Sequence, residues 1–271
     1  MALPDSLARL HIPPAGSNVI LCAGLRLEGD AQDWITACTP LVAEEEKERA
    51  TRFVHAADAA RHMVGRALAR RCLAAALGHP VHGNFAVTQW GKPVLAGTDM
   101  DFSISHSGDM VWAALCRGSH VGIDVEEIRP VPELEVLTAA LHPHERADVF
   151  AAAETERLRT FYRCWTRKEA VLKAAGTGLN ATMDSFEVCT DNRTDAWVIS
   201  TPLLLPETSV PALGQTLGQT GGLTGTVAPH SWTACDINTD AHYHCSVAAC
   251  APQLEVSVFR LPDAGSAAIQ A

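Results

Sequence analysis

Phe161-Tyr162-Arg163-Cys164-Trp165-Thr166-Arg167-Lys168-Glu169-Ala170-Val171-Leu172-Lys173-Ala174-Ala175-Gly176-Thr177-Gly178-Leu179 decides the reading of this chain. At helical spacing Trp165, Glu169 and Lys173 stand at i, i+4 and i+8, on one face, and the helix stops at a Gly-Thr-Gly exit. A surface ion pair would account for Glu169 and Lys173 alone. It would not account for the carboxylates upstream in Gly122-Ile123-Asp124-Val125-Glu126. There the residues read as a strand, so Asp124 and Glu126 share a face. Asp124, Glu126 and Glu169 together would make a hard-oxygen site suited to magnesium, whose remaining ligands commonly come from a phosphate substrate.

Outward from that core, Val19–Leu25 reads as a strand buried on both faces, and residues 43–77 read as strongly helical up to Gly78. Phe85-Ala-Val-Thr88 is a short strand leading to the turn Trp90-Gly91-Lys92-Pro93. Asp101–Ser107, Met110–Cys116 and Val121–Glu127 read as three consecutive strands with connections short enough for an antiparallel meander. Helices are expected over 134–141 and 145–161, before the signature helix. Short strands follow at 186–189 and 197–200, and closing strands at 232–237, 243–250 and 254–261. Residues 202–230, nearly free of charge, read as a loop or insertion, and the chain after Pro262 reads as a disordered tail.

With 271 residues, 47% hydrophobic and 19% charged, the chain has the composition of an ordinary globular protein. No apolar run approaches the ~20 residues of a membrane span, and no secretion signal opens the chain, so a cytoplasmic protein is expected. A net charge of −10 argues against general nucleic-acid binding. Positive charge is nonetheless concentrated in Lys47, Arg49, Arg52, Arg61, Arg66, Arg70 and Arg71. That patch suits a polyanionic small ligand, or equally a solvated helix face. The nine cysteines form no CxxC pair and read mostly as small buried hydrophobes. His142-Pro143-His144-Glu145 and His242-Tyr243-His244-Cys245 lack a second ligand pair at a recognisable spacing, so neither is read as a zinc site.

Gly91-Lys92-Pro93, Phe102-Ser103-Ile104-Ser105-His106-Ser107, Gly122-Ile123-Asp124-Val125-Glu126 and Trp165-Thr166-Arg167-Lys168-Glu169-Ala170-Val171-Leu172-Lys173 occur in this order. Together they resemble the Sfp-type 4′-phosphopantetheinyl transferases, over about Val19 to Leu179. The resemblance implies an α/β (α+β) pseudo-dimer of two similar halves, each an antiparallel sheet packed on a long helix, with coenzyme A in the cleft between them. The halves would be residues 1–118 and 119–262, followed by a tail at 263–271.

The implied reaction moves the phosphopantetheine arm of coenzyme A onto a serine of an acyl- or peptidyl-carrier protein and releases 3′,5′-bisphosphoadenosine. The resemblance makes Asp124, Glu126 and Glu169 the Mg2+ ligands and Glu169 the favoured base for the incoming serine. It sets Lys173 at the pyrophosphate, Ser105 and His106 at the phosphates of coenzyme A, Lys92 at the nucleotide and Arg49 at the 3′-phosphate. Ser105 and His106, adjacent in a strand, face opposite ways and cannot act as nucleophile and base together. Glu145 resembles an acidic position after the metal strand, with poorly fitting neighbours, and Lys168 is read equally as a solvent charge. Ser103 stands where many of the family carry Asn. A monomer is expected, with no nucleic-acid or membrane partner. Two other readings are a magnesium-dependent hydrolase of nucleotide pyrophosphates and a non-catalytic carrier- or coenzyme-binding module.

Overall fold

The computed structural model describes residues 18–176, 182–200 and 232–260. The expected insertion at 202–230, the tail after 262 and the Thr177-Gly178 exit lie outside the described residues.

Two sheets, each backed by a 22-residue helix, form the frame. The first has the order β11-β1-β5-β4, from β1 (Val19–Arg26), β4 (Met100–Ser107), β5 (Met110–Arg117) and β11 (Glu255–Arg260). The second has the order β6-β10-β9, from β6 (Val121–Glu127), β9 (Thr233–Ile237) and β10 (Tyr243–Ala249), antiparallel throughout. Strand β11 crosses back to run parallel to β1 on the outer edge of the first sheet. Small two-stranded sheets are made by β2 (Ala86–Val87) with β3 (Pro93–Val94), and by β7 (Glu187–Val188) with β8 (Val198–Ser200).

The helices are α1 (Ala31–Cys38), α2 (Glu44–Ala50), α3 (Ala56–Leu77), α4 (Leu134–Thr138), α5 (Pro143–Ala151) and α6 (Glu154–Ala175). The region expected to be helical over 43–77 is two helices, parted at Thr51–His55, where β-branched and aromatic residues hold the chain poorly in a helix. The helix expected at 145–161 is likewise broken, at Ala152 and Ala153, both extended. Helices α3 and α6 end alike, on a left-handed glycine (Gly78, φ 76°; Gly176, φ 65°).

Strand alternation explains the layering. Val111, Ala113 and Leu115 of β5 face α3 in one core, while Trp112, Ala114 and Cys116 face the second sheet in another. Val121, Ile123 and Val125 of β6 meet them there, which turns Gly122, Asp124 and Glu126 toward α6. A third core lies between α6 and strands β7, β8 and β10. A Cβ on Gly122 would stand 2.1 Å from the Ala170 carbonyl oxygen, so glycine there lets α6 press onto the strand that carries the carboxylates. All nine cysteines are free, and all but Cys235 and Cys250 are buried.

The meander expected from three successive strands is only half present. Strands β4 and β5 pair antiparallel, whereas β6 pairs with β10 in the other sheet. Side chains join β6 to β4 instead. Asp101 Oδ2 and the hydroxyls of Ser103, Ser105 and Ser107 accept from the backbone N–H groups of Val121, Ile123, Val125 and Glu127 at 2.8, 3.2, 3.2 and 3.1 Å. Four alternate residues of one strand thus take the place of a backbone ladder, and the seam they make runs into the candidate site.

Candidate active site

One cleft of about 1120 Å³ opens along that seam. It is lined by Arg49, Lys92, Ser105, His106, Asp124, Glu126, Glu169 and Lys173, so the structure brings together all eight residues singled out in the sequence. Phe53, His62, Arg66, Trp90, Trp165 and Asp184 also face it.

The α6 side supplies Trp165, Glu169, Leu172, Lys173 and Gly176, one stripe of the helix. Lys173 Nζ donates to Asp124 Oδ1 at 2.6 Å, to Ser105 Oγ at 3.0 Å and to the Ile123 carbonyl at 3.2 Å. Ser105 also reaches Asp124 Oδ1, at 2.9 Å. Asp124 is 3% exposed, and its second oxygen, Oδ2, is buried with no hydrogen-bond partner. Glu126 Oε2 accepts from Ser107 at 2.6 Å. Burial pushes the carboxyls of both Glu126 and Glu169 above the usual range, and the neighbouring Asp124 charge pushes them further. Three carboxylates on one wall of the cleft, one with an orphaned oxygen, are chemically suited to a divalent cation. In this arrangement Lys173 supplies part of the missing positive charge.

Lys92 reaches the cleft from the turn between β2 and β3, yet its ammonium is engaged. It donates to Asp101 Oδ2 at 2.5 Å and to the Val121 carbonyl at 3.0 Å. Sequence reading missed Asp101, although the alternation Asp101, Ser103, Ser105, Ser107 was there as a row of short acceptors on one strand face. His106 lies on the opposite face of β4 from Ser105, its side chain exposed at the cleft; desolvation by the surrounding walls, with the Arg61 and Lys173 charges, lowers its pKa. The two make no nucleophile–base pair.

At the first-half end, Arg49 is exposed on α2 and Arg66 is half-buried on α3, 4.0 Å from Glu46. His62 sits beside them, its pKa lowered to about 4 by burial and the Arg66 charge. Arg70 is withdrawn from the cleft: it pairs with Glu46 at 3.0 Å and stacks over Phe85 at 4.3 Å.

Lys168 and Glu145, each left open by the sequence, prove to be partners. Lys168 is 0% exposed and donates to Glu145 Oε1 and the Phe186 carbonyl, both at 2.7 Å. Five residues of helix turn it about 140° from Lys173, into the core behind α6. Arg167 is equally buried, pairing with Asp236 at 2.5 Å.

Comparison with known proteins places the chain in a family. The 4′-phosphopantetheinyl transferase superfamily model matches residues 120–248, and the model of the N-terminal part of 4′-phosphopantetheinyl transferases matches 28–117. The chain is 30% identical over 189 residues to 4′-phosphopantetheinyl transferase psf-1 of Bacillus pumilus, covering 69% of this chain and 78% of that one. It is 36% identical over 149 residues to a 4′-phosphopantetheinyl transferase of Bacillus subtilis, covering 54% of this chain and 66% of the relative's length. It is also 33% identical over 172 residues to the L-aminoadipate-semialdehyde dehydrogenase-phosphopantetheinyl transferase of Mus musculus, covering 57% and 54% respectively. With a relative at that identity matched over more than two thirds of its length, and both halves matched by family models, the chain belongs to the 4′-phosphopantetheinyl transferase superfamily.

Proposed function

We propose that this chain transfers the 4′-phosphopantetheine group from coenzyme A to a serine hydroxyl of an acyl- or peptidyl-carrier protein. The observation that carries the reading is the large cleft, cationic at its first-half end and carboxylate-rich at its second, with Lys173 in contact with Asp124. A ligand with a phosphate at one end and a reacting pyrophosphate at the other matches that polarity.

In this reading the serine oxygen attacks the pantetheine-side phosphorus, an O–P bond forms, and the pyrophosphate bridge breaks to release 3′,5′-bisphosphoadenosine. Glu169 takes the serine proton, as the α6 carboxylate that faces the cleft one turn before Lys173. Lys173 stabilises the leaving oxygen, held in place by Ser105 and the Ile123 carbonyl. Asp124, Glu126 and Glu169 would hold Mg2+, which when bound neutralises the pyrophosphate oxygens. Arg49 and Arg66 bind phosphate at the far end, His106 and Ser105 line the phosphate path, and Lys92 fixes the wall beside the nucleotide.

The chain would act as a cytoplasmic monomer; among the described residues no helix is long and apolar enough to cross a membrane. A carrier, commonly acidic, would meet a protein of net charge −10, so docking needs a local basic or apolar patch. Val136, 67% exposed, and Leu137 on α4 offer apolar surface after the carboxylate strand.

The test is intact-protein mass spectrometry of apo carrier proteins incubated with the chain, coenzyme A and magnesium. A mass gain equal to phosphopantetheine, lost on chelation, is expected. Glu169→Gln should abolish it while coenzyme A binding changes by less than about tenfold, ~1.4 kcal/mol. Release of bisphosphoadenosine with no carrier modified would point to hydrolysis instead.

A further inference from the structure

Away from the cleft, a second group of metal-ligating side chains is assembled from two distant segments. His142 caps the N-terminus of α5, with Pro143 in the first turn and His144 beside it. The two imidazoles stand edge to face, 4.9 Å apart at 77°. Glu187 of β7 faces both: Oε1 is 3.2 Å from His144 Nδ1 and Oε2 is 4.0 Å from His142 Nδ1. Among the described residues this is the group in which three ligand atoms all lie within 4.8 Å of one another.

Hydrogen bonding accounts for only part of this arrangement. His144 can donate to Glu187, but His142 Nδ1 accepts, at 3.4 Å, from the His144 backbone N–H. That bond is long, and His142 Nδ1 stands 4.0 Å from Glu187 Oε2, too far for a hydrogen bond between them. Two Lewis bases converging in this way leave room for a cation.

The backbone beneath the group is fixed by one buried carboxylate. Glu145, 1% exposed, accepts from His142 N at 2.9 Å through Oε2 and from Val188 N at 2.8 Å through Oε1. Lys168 completes its shell. Both ligand-bearing segments thus hang from one side chain, and only small side-chain rotations remain to bring the ligand atoms to the ~3.3 Å separations of a tetrahedral site with ~2.0–2.1 Å bonds.

We propose that His142, His144 and Glu187 form a Zn2+ site, with solvent in the fourth position. Two imidazoles and one carboxylate select zinc over magnesium, which prefers oxygen ligands throughout. Ala140 and Asp184, close in sequence to the ligands, line the large cleft, so bound zinc would clamp two segments of its rim. The inference does not rest on the transferase reading.

The experiment titrates Zn2+ calorimetrically into the metal-free full chain in excess Mg2+, which occupies the cleft carboxylates. One equivalent should bind, weakened about 100-fold by His144→Ala and by Glu187→Gln, and unchanged by Asp124→Asn. His144 is 76% exposed at its side chain, so its replacement leaves the fold intact. Zn2+ should raise the melting temperature of the wild type and not of Glu187→Gln. Substituted Co2+ should give the weak visible bands of nitrogen and oxygen ligands. A thiolate-to-cobalt charge-transfer band, or Zn2+ uptake indifferent to Glu187→Gln, would overturn the assignment.

Discussion

Lys168 and Lys173 lie on the same helix, each against a carboxylate, and their surroundings differ completely. The Lys168–Glu145 pair is sealed, at 0% and 1% side-chain exposure, and every oxygen of Glu145 is spoken for by Lys168, His142 N or Val188 N. The Lys173–Asp124 pair opens to the cleft, with Lys173 30% exposed and one Asp124 oxygen without a partner. Completeness marks the first as architecture, since a satisfied buried pair has nothing left to offer a ligand. The second is deliberately incomplete. An engaged ammonium and an orphaned carboxylate oxygen side by side form a place where a substrate or cation can finish the set.

The sharpest way to break that contrast is Lys168→Met. It strands the Glu145 carboxylate in the core, and stability should fall by about 3–5 kcal/mol. Urea unfolding followed by circular dichroism reads this directly. A loss below about 1 kcal/mol would mean the pair is not structural. Lys173→Met should do the reverse, lowering the transfer rate about 10²–10³-fold. Its cost in stability should be only about 1–2 kcal/mol, between the values for exposed and buried pairs. Equal stability losses for the two variants would erase the distinction.

A third probe asks whether the sealed side of α6 resists acid. His244 of β10 contacts Thr166 at 2.9 Å, and burial with the Arg167, Arg163 and Arg159 charges lowers its pKa to about 3. The folded state therefore keeps His244 neutral while the unfolded chain protonates it below about pH 6.5. Stability is full above that value and falls as pH drops toward 3, by up to about 1.4 kcal/mol per unit. His244→Asn should flatten that part of the curve relative to the wild type; parallel curves would show that His244 is charged in the fold.

The signature helix and the carboxylate strand were legible because short-range periodicity carries them: i+4 on α6 and i+2 on β6 place Glu169, Lys173, Asp124 and Glu126 without knowledge of the rest, whereas Arg49, Lys92, Ser105 and His106 were marked by the resemblance of their motifs to the family. What the sequence hid was long-range. Glu145 lies 23 residues before Lys168, so only the fold tells a solvent lysine from a core one. Glu187 lies more than 40 residues beyond His142 and His144, which is why their pairing gave no zinc spacing. The departure of β6 from the meander turned on β10, about 120 residues later, offering the backbone ladder that β4 replaces with side chains.

That replacement yields the smallest effect and the finest comparison, between two serines of one strand face. Ser103 Oγ accepts from Ile123 N and takes no part in the cleft's ionic contacts. Ser105 Oγ accepts from Val125 N and in addition touches Lys173 Nζ and Asp124 Oδ1. Ser103→Ala should cost about 1–2 kcal/mol, the penalty for leaving the Ile123 N–H without its acceptor, and leave the rate within about twofold. Ser105→Ala should cost a similar amount and also lower the rate about tenfold, because Lys173 loses one of the groups that aim it. If both serines changed stability and neither changed rate, the seam would be a hinge between sheets alone. If Ser105→Ala changed rate without stability, the Val125 N–H would have found another acceptor, and the side-chain ladder would be redundant at the point where it meets the cleft.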